Sequence, residues 1–188
     1  EEFSIDELLQ RAVARIDSIP DQPDVQAELL RTIGDIYREQ GRFDEAFPLL
    51  ERAVALHRTS PDPGSREAGQ ALDALGHLHY QAGDYRAALD AHSEALSIFS
   101  ERYEPDDSLV LFAMNNMAAA NAAIGAYDDA LRLYEEVLRR RARLFTDTSE
   151  LVHVAYNNLG DLRSRMSDYE GSERAFREAL RLRRLALP

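Results

Sequence analysis

The sequence predicts an all-α protein, a right-handed α-solenoid of four helix pairs preceded by one N-terminal helix. Three observations predict this fold class: a 42-residue internal repeat, apolar residues at helical spacing within each copy, and glycines where helices should end. The chain has 188 residues, of which 45% are hydrophobic, and this is enough to build a core.

Five columns of the sequence recur with the 42-residue step. They are Ile33-Gly34, Leu75-Gly76, Met117-Ala118 and Leu159-Gly160; Gly41, Gly83, Gly125 and Ser167; Phe43, Tyr85, Tyr127 and Tyr169; Ala46, Ala88, Ala130 and Ser172; and Ala53, Ala95, Val137 and Ala179. Because the columns keep their register over four copies without an insertion, each copy is predicted to be one structural unit stacked on the next.

Each copy is predicted to contain two helices. The first ends at a glycine such as Gly83, because glycine tolerates the left-handed conformation that terminates helices. Small residues such as Gly76 and Ala88 allow the two helices to approach closely. The predicted repeats of this single domain, 1–188, are residues 24–60, 66–104, 108–146 and 150–187.

Residues 1–19 are predicted to form the additional helix, with Ser4 and Glu7 as a capping box. Its apolar face should pack on the first repeat. That face comprises Ile5, Leu8, Leu9, Ala12, Val13 and Ile16.

The last predicted helix also keeps an apolar face, although no capping helix follows before Pro188. That face comprises Ala175, Phe176, Ala179, Leu180, Leu182 and Leu185. We expect it to pack on a further repeat or on a neighbouring copy of the chain.

Composition excludes several classes of function. The net charge of −12 repels nucleic acid, and without cysteine there is no disulfide framework and no thiolate metal site. No apolar run approaches the ~20 residues that cross a bilayer, so direct membrane insertion is not expected. All 22 basic residues are arginine, which fits either a GC-rich genome or a salt-adapted organism.

The start of the chain, Glu1-Glu2-Phe3, is acidic and has neither an initiating methionine nor the apolar segment of a signal peptide. We therefore expect a fragment of a longer protein, located in the cytoplasm. A soluble part of a membrane-anchored parent protein remains an alternative.

Histidine and arginine clusters are the candidates for other chemistry. His77 and His79 are two residues apart on a predicted helix and point to different faces, so no metal site and no cofactor are expected. His79 and His92 lie in columns that large apolar residues occupy elsewhere, which indicates packing. The basic run 139–143 is interpreted as a solvated helix end, with a nucleic-acid or acidic-partner patch as the less favoured alternatives.

The columns resemble the tetratricopeptide repeat, with its Leu-Gly, Gly-x-Tyr and paired Ala positions. The 42-residue step and phrases such as Tyr156-Asn157-Asn158-Leu159 resemble the kinesin-light-chain variety. The chain departs from the pattern at Ala118, Ser167 and Ser172.

Residues 8–37 also resemble the segment that opens the repeat region of bacterial eukaryotic-like Ser/Thr protein kinases. This resemblance implies a parent signalling enzyme. The fragment has no kinase Gly-rich loop, no His-Arg-Asp and no Asp-Phe-Gly, so the chain itself is predicted not to be an enzyme.

The resemblance implies that the first helix of each pair lines a concave groove. The predicted groove residues are Arg31, Asp35, Arg38, Gln70, Asp73, His77, Tyr80, Phe112, Asn115, Asn157 and Asp161. The predicted function is a scaffold that binds a protein or an extended peptide in this groove. The alternative is a self-association module that forms a homo-oligomer through the array ends, in particular the C-terminal helix.

Overall fold

The structure is a computed structural model that describes residues 4–19, 22–144 and 150–186. These residues contain nine α-helices and no strand, which confirms the predicted all-α repeat array. The helices are α1 (Ile5–Ile16), α2 (Pro23–Glu39), α3 (Phe43–Arg58), α4 (Arg66–Ala82), α5 (Tyr85–Arg102), α6 (Ser108–Ala123), α7 (Tyr127–Leu144), α8 (Glu150–Arg165) and α9 (Tyr169–Ala186).

The chain forms two compact units, Glu1–Glu101 and Arg102–Pro188. In the first unit α2 packs on α3, α3 packs on α4, and the two first helices α2 and α4 also contact each other. In the second unit α6 packs on α7, α7 on α8 and α8 on α9. Each unit therefore stacks consecutive antiparallel helices, as the repeat predicts. None of the described helices is both long and apolar enough to cross a lipid bilayer.

The first helix of every pair ends in the same way. Gly41, Gly83, Gly125 and Ser167 all have positive φ, between 65° and 87°. In each copy the amide of the following residue donates to a carbonyl five residues earlier, for example Asp84 N to His79 O at 2.9 Å. This is the bond of a Schellman cap, so the predicted helix-ending role of the column is confirmed, and Ser167 performs it without glycine.

The small column allows the two helices of a pair to meet. A Cβ added at Gly76 would lie 2.6 Å from the His92 ring, and one at Gly34 would lie 2.8 Å from Leu50. In the fourth copy a Cβ at Gly160 would lie 2.9 Å from the Phe176 ring. Leu50, His92 and Phe176, which occupy one column of the repeat, thus fill the space that a side chain at each glycine would take.

The core of the second unit repeats this arrangement around Tyr134. Tyr134 is buried with Ala118 of α6 and with Leu159 and Leu162 of α8. Because α8 covers the outer face of α7, Tyr134 is only 6% exposed.

The N-terminal helix has the predicted capping box. The Glu7 amide donates to Ser4 Oγ at 3.2 Å, and the Ser4 amide donates to Glu7 Oε2 at 2.9 Å. The predicted packing face is only partly correct: Ile16 is buried, whereas Ile5 and Leu8 are 71% and 52% exposed. The physical reason is that, among the described helices, α1 packs chiefly on α2, which leaves the start of its apolar face uncovered.

Candidate peptide-binding surfaces

The predicted site residues of the first unit lie on its two first helices, α2 and α4. They are Arg31, Asp35 and Arg38 on α2, and Gln70, Asp73, His77 and Tyr80 on α4. All seven side chains are half-buried, and spacings of three, four and seven residues place each set on one face of its helix. We call these seven residues the first-unit surface.

Ion pairs within the chain occupy the charges on α2. Arg31 donates to Glu28 through Nε at 3.0 Å and to Asp35 Oδ2 through Nη1 at 3.0 Å. Arg38 Nε donates to Asp35 Oδ1 at 3.1 Å, and its Nη1 reaches Gln81 Oε1 of α4 at 3.4 Å. The hydrogen bond from Arg31 lowers the pKa of Glu28. Both arginines are thus matched by carboxylates of their own chain, which leaves little positive charge for an acidic ligand.

Asp73 joins α4 to α5. Its Oδ1 lies 2.9 Å from His92 Nδ1, and its Oδ2 lies 3.4 Å from His77 Nε2. Burial alone would raise the pKa of Asp73, but hydrogen bonds from His77 and His92 outweigh it and hold that pKa well below its usual value. An ionised carboxylate only accepts, so His92, which is 1% exposed, donates through Nδ1.

The column of His92 predicted a packing role, and the ring packs against Gly76, but the column gave no indication of the hydrogen bond with Asp73. The available signal was the position of Asp73 one turn before Gly76, on the helix that the His92 ring faces.

The remaining aromatic side chains of α4 each contact a different ring. The Tyr80 ring centroid lies 5.2 Å from that of Tyr85, and the His79 ring lies 5.1 Å from that of Phe47. His77 contacts His92 instead, at 5.1 Å, so His77 and His79 point apart as predicted. Within the described residues, no group of three or more histidine or carboxylate side chains is arranged to hold a metal ion.

The second unit presents Phe112 and Asn115 on α6, and Asn157 and Asp161 on α8. We call these four residues the second-unit surface. Phe112 is 44% exposed although it is a large apolar side chain. Four and seven residues after Asn115, Ala119 is half-buried and Ala122 is buried, so the positions that follow Asn115 on this face of α6 carry small side chains.

Phe112 lies over a buried cation. The guanidinium of Arg141 is 5.1 Å from the Phe112 ring centroid, and Arg141 is only 2% exposed. Its Nη1 donates to the Leu151 carbonyl at 3.3 Å, and burial lowers the pKa of Arg141. The interpretation of this run as a solvated helix end is therefore wrong for Arg141, although it holds for Arg139, which is exposed and bonds to Glu136.

An amide pair links the two helices of the second-unit surface. Asn158 Nδ2 donates to Asn115 Oδ1 at 2.9 Å. Asn157 is exposed, and so is Asp161, which accepts a hydrogen bond from Arg165 at 3.1 Å. Sequence reasoning selected Asn157 and missed Asn158, because helical spacing alone does not decide which of two adjacent amides faces the neighbouring repeat.

The model of the tetratricopeptide repeat family matches residues 25–101 and 109–184. The chain belongs to the tetratricopeptide repeat family. The two matched segments fall one in each compact unit, so each unit is a set of tetratricopeptide helices.

Known proteins resemble this chain over parts of its length. The clustered mitochondria protein homolog of Caenorhabditis elegans is 35% identical over 81 residues, which are 43% of this chain and 6% of that protein. The match with the Caenorhabditis briggsae homolog likewise spans only 6% of that protein.

Two solved structures share the fold. A putative kinesin light chain from Podosopora anserina superimposes with a TM-score of 0.83 at 16% identity, covering 94% of this chain and 84% of that one. A Rap protein complexed with competence and sporulation factor has a TM-score of 0.70 at 17% identity, covering 97% of this chain and 56% of that one. The predicted kinesin-light-chain-like variety of repeat is thus matched in structure.

Proposed function

We propose that this chain is a non-catalytic scaffold that binds an extended polypeptide on the second-unit surface. The observation that carries the proposal is Phe112, an aromatic side chain that is 44% exposed and held over the buried guanidinium of Arg141. Aromatic side chains in such positions supply large contact area at low entropic cost and dominate many interfaces.

The neighbouring side chains suit a peptide backbone. Asn157 is exposed, and an amide side chain both donates to a carbonyl and accepts from an N–H group. The bond from Asn158 uses the oxygen of Asn115 and fixes its orientation, which presents the Asn115 amide group in a defined direction. Ala119, four residues after Asn115, has a small half-buried side chain that does not obstruct an apolar side chain of the ligand at the surface.

Charge selects the ligand. Arg31 and Arg38 are paired with Glu28 and Asp35, and Asp73 remains ionised, so the first-unit surface offers no unpaired cation to an acidic tail. Because these arginines are paired and the chain carries a net charge of −12, we expect the ligand to carry a basic residue near an apolar one. Rap is crystallised with competence and sporulation factor, which supports a ligand-binding use of this fold without identifying the ligand here.

The likeness of residues 8–37 to repeat regions of bacterial Ser/Thr kinases supports a place for the scaffold in a larger cytoplasmic signalling protein. The gene sequence on either side of the segment that encodes this chain tests this expectation. A kinase domain upstream is expected, and a frame without any signalling domain would contradict it.

Selection from a random peptide library tests the binding. Peptides enriched on the wild-type chain should bind at least tenfold more weakly to Ala119→Arg, which fills the space, and to the double variant Asn115→Ala and Asn157→Ala. Tyr169→Ser removes an exposed aromatic side chain of α9 and serves as the matched control, with unchanged affinity expected. If both surface variants fold normally and bind as tightly as wild type, the second-unit surface is not the site.

A further inference from the structure

A cavity of about 520 Å³ lies between α6 and α7 of the second unit. Its walls are Met114, Met117 and Asn121 of α6, and Asp129, Arg132, Leu133 and Glu136 of α7. The three α6 residues are one, two and six positions from Asn115, spacings that place them on a different side of the helix from the second-unit surface. The volume is within the range of small-molecule sites in proteins.

Asn121 is a short side chain at a position where the other copies have long ones. The 42-residue step relates it to Tyr37, His79 and Arg163. Tyr37 is 3% exposed, and the His79 ring centroid lies 5.1 Å from that of Phe47. Arg163 donates to a glutamate of α7 at 3.0 Å. The third copy therefore lacks a side chain that the other copies use for packing or for an ion pair, and this leaves space beside Asn121.

Asn121 also brings a hydrogen-bond acceptor to the cavity. It is 5% exposed, and its Nδ2 donates to the Met117 carbonyl at 3.0 Å. This bond directs the nitrogen to the helix backbone, so Oδ1 is the end of the amide left for the cavity. Within the part of the chain that the structure describes, no group donates to this oxygen. Because a buried acceptor without a partner is costly, a ligand with an N–H or O–H group would be stabilised there.

Apolar side chains form the wall next to this acceptor. Met114 is 9% exposed, and Met117 and Leu133 are half-buried. Thioethers adapt to irregular shapes and contact aromatic rings favourably. An aromatic ligand would thus replace the ring that Tyr37 and His79 supply at this position in the first two copies.

The charged side chains of the wall are paired within α7. Arg132 donates to Asp129, and Glu136 accepts from both Arg139 and Arg140. The wall therefore presents no unpaired charge, which favours a neutral ligand over an ionic one.

We propose that this cavity binds a small neutral aromatic molecule that carries an N–H or O–H donor. The donor bonds to Asn121 Oδ1, and the ring lies against Met114, Met117 and Leu133. The site is separate from the second-unit surface, so the proposal stands independently of peptide binding.

Indole and indene test the proposal, because the two compounds have the same shape and only indole has an N–H donor. The chain contains no tryptophan, so the fluorescence of added indole reports its binding to the full chain without a contribution from indole rings of the protein. We expect a dissociation constant for indole on the order of 1 mM. Indene should displace it with about fivefold weaker affinity, the usual effect of one neutral hydrogen bond. Backbone amide shifts in NMR spectra should be largest on α6 and α7.

Substitutions at one position separate the acceptor from the space. Asn121→Leu keeps the volume and removes the acceptor, so indole should bind about fivefold more weakly while the affinity for indene is unchanged. Asn121→Tyr restores a ring at this position and should abolish the binding of both compounds. Ser164→Tyr adds the same ring at an exposed position of α8 and is the matched control, with unchanged affinities expected. Circular dichroism confirms that each variant is helical.

Absence of saturable indole binding at tenfold the expected constant overturns the proposal. Equal affinities of the wild-type chain for indole and indene overturn the bond to Asn121, and so does undiminished binding to a folded Asn121→Tyr variant. Amide shifts that are largest outside α6 and α7 overturn the assignment of the cavity as the site.

Discussion

Asn158 Nδ2 donates to Asn115 Oδ1 at 2.9 Å, and this bond connects the first helices of two successive repeats, α6 and α8. It lies on the second-unit surface, between Phe112 of α6 and the exposed Asn157 of α8. Repeat stacking and ligand presentation therefore depend on the same amide pair, and the two roles can be separated by substitution.

Asn158→Ala should lower the free energy of unfolding by about 1 kcal/mol, the usual net value of a half-buried hydrogen bond. Asn157→Ala, one residue earlier and exposed, should change it by less than about 0.5 kcal/mol. Urea denaturation of both variants measures the difference. Equal costs at the two positions would contradict the geometry of the pair.

Gly76→Ala should destabilise the chain by about 1 to 3 kcal/mol, because the added Cβ would lie 2.6 Å from a His92 ring that Asp73 holds in place. The sign of this change in stability distinguishes a close helix contact from its absence. In a helix without such a contact, the same change stabilises by nearly 1 kcal/mol. A gain in thermal stability on Gly76→Ala would show that the two helices do not approach as closely as described.

Ser167→Gly should stabilise the chain by about 1 kcal/mol, because Ser167 has a φ of 65° at the end of α8 and glycine adopts that conformation without strain. Ser164→Gly, three residues earlier within α8, is the matched control and should destabilise by about 0.5 kcal/mol. Thermal unfolding compares them. Loss of stability in both variants would contradict the left-handed cap.

Asp73 should make stability depend on pH. Its pKa in the folded chain is lowered from an ordinary value of 3.8, so its contribution is complete above about pH 5 and is lost as the pH falls below 4. The difference in unfolding free energy between wild type and Asp73→Asn should therefore shrink between pH 5 and pH 2.5. Denaturation curves at both pH values measure it, and a constant difference would contradict the ionised Asp73.

The repeat columns predicted those parts of the fold that depend on backbone conformation. Gly41, Gly83 and Gly125 end helices because few other residues adopt positive φ cheaply, so the sequence necessarily marks these positions. The exposure of Ile5 and Leu8 could not be predicted, because it depends on whether a second helix covers α1.

The candidate surface was harder to predict than the fold. Phe112 and Asn115 follow from helical spacing, but Arg141 lies in a run of arginines that resembles any solvated helix end. Its burial depends on the position of α8 relative to α6, which no local pattern records. The hydrogen bond between Asp73 and His92 likewise joins residues of two different helices.

Photo-crosslinking tests peptide binding most directly. A benzophenone amino acid is placed at position 112, at position 144 or at position 169 in separate variants, and each is irradiated with the same library-selected peptide. The account predicts a peptide adduct at position 112 and none above background at the two exposed control positions on α7 and α9. Adducts at position 144 or 169 without one at position 112 would contradict binding on the second-unit surface.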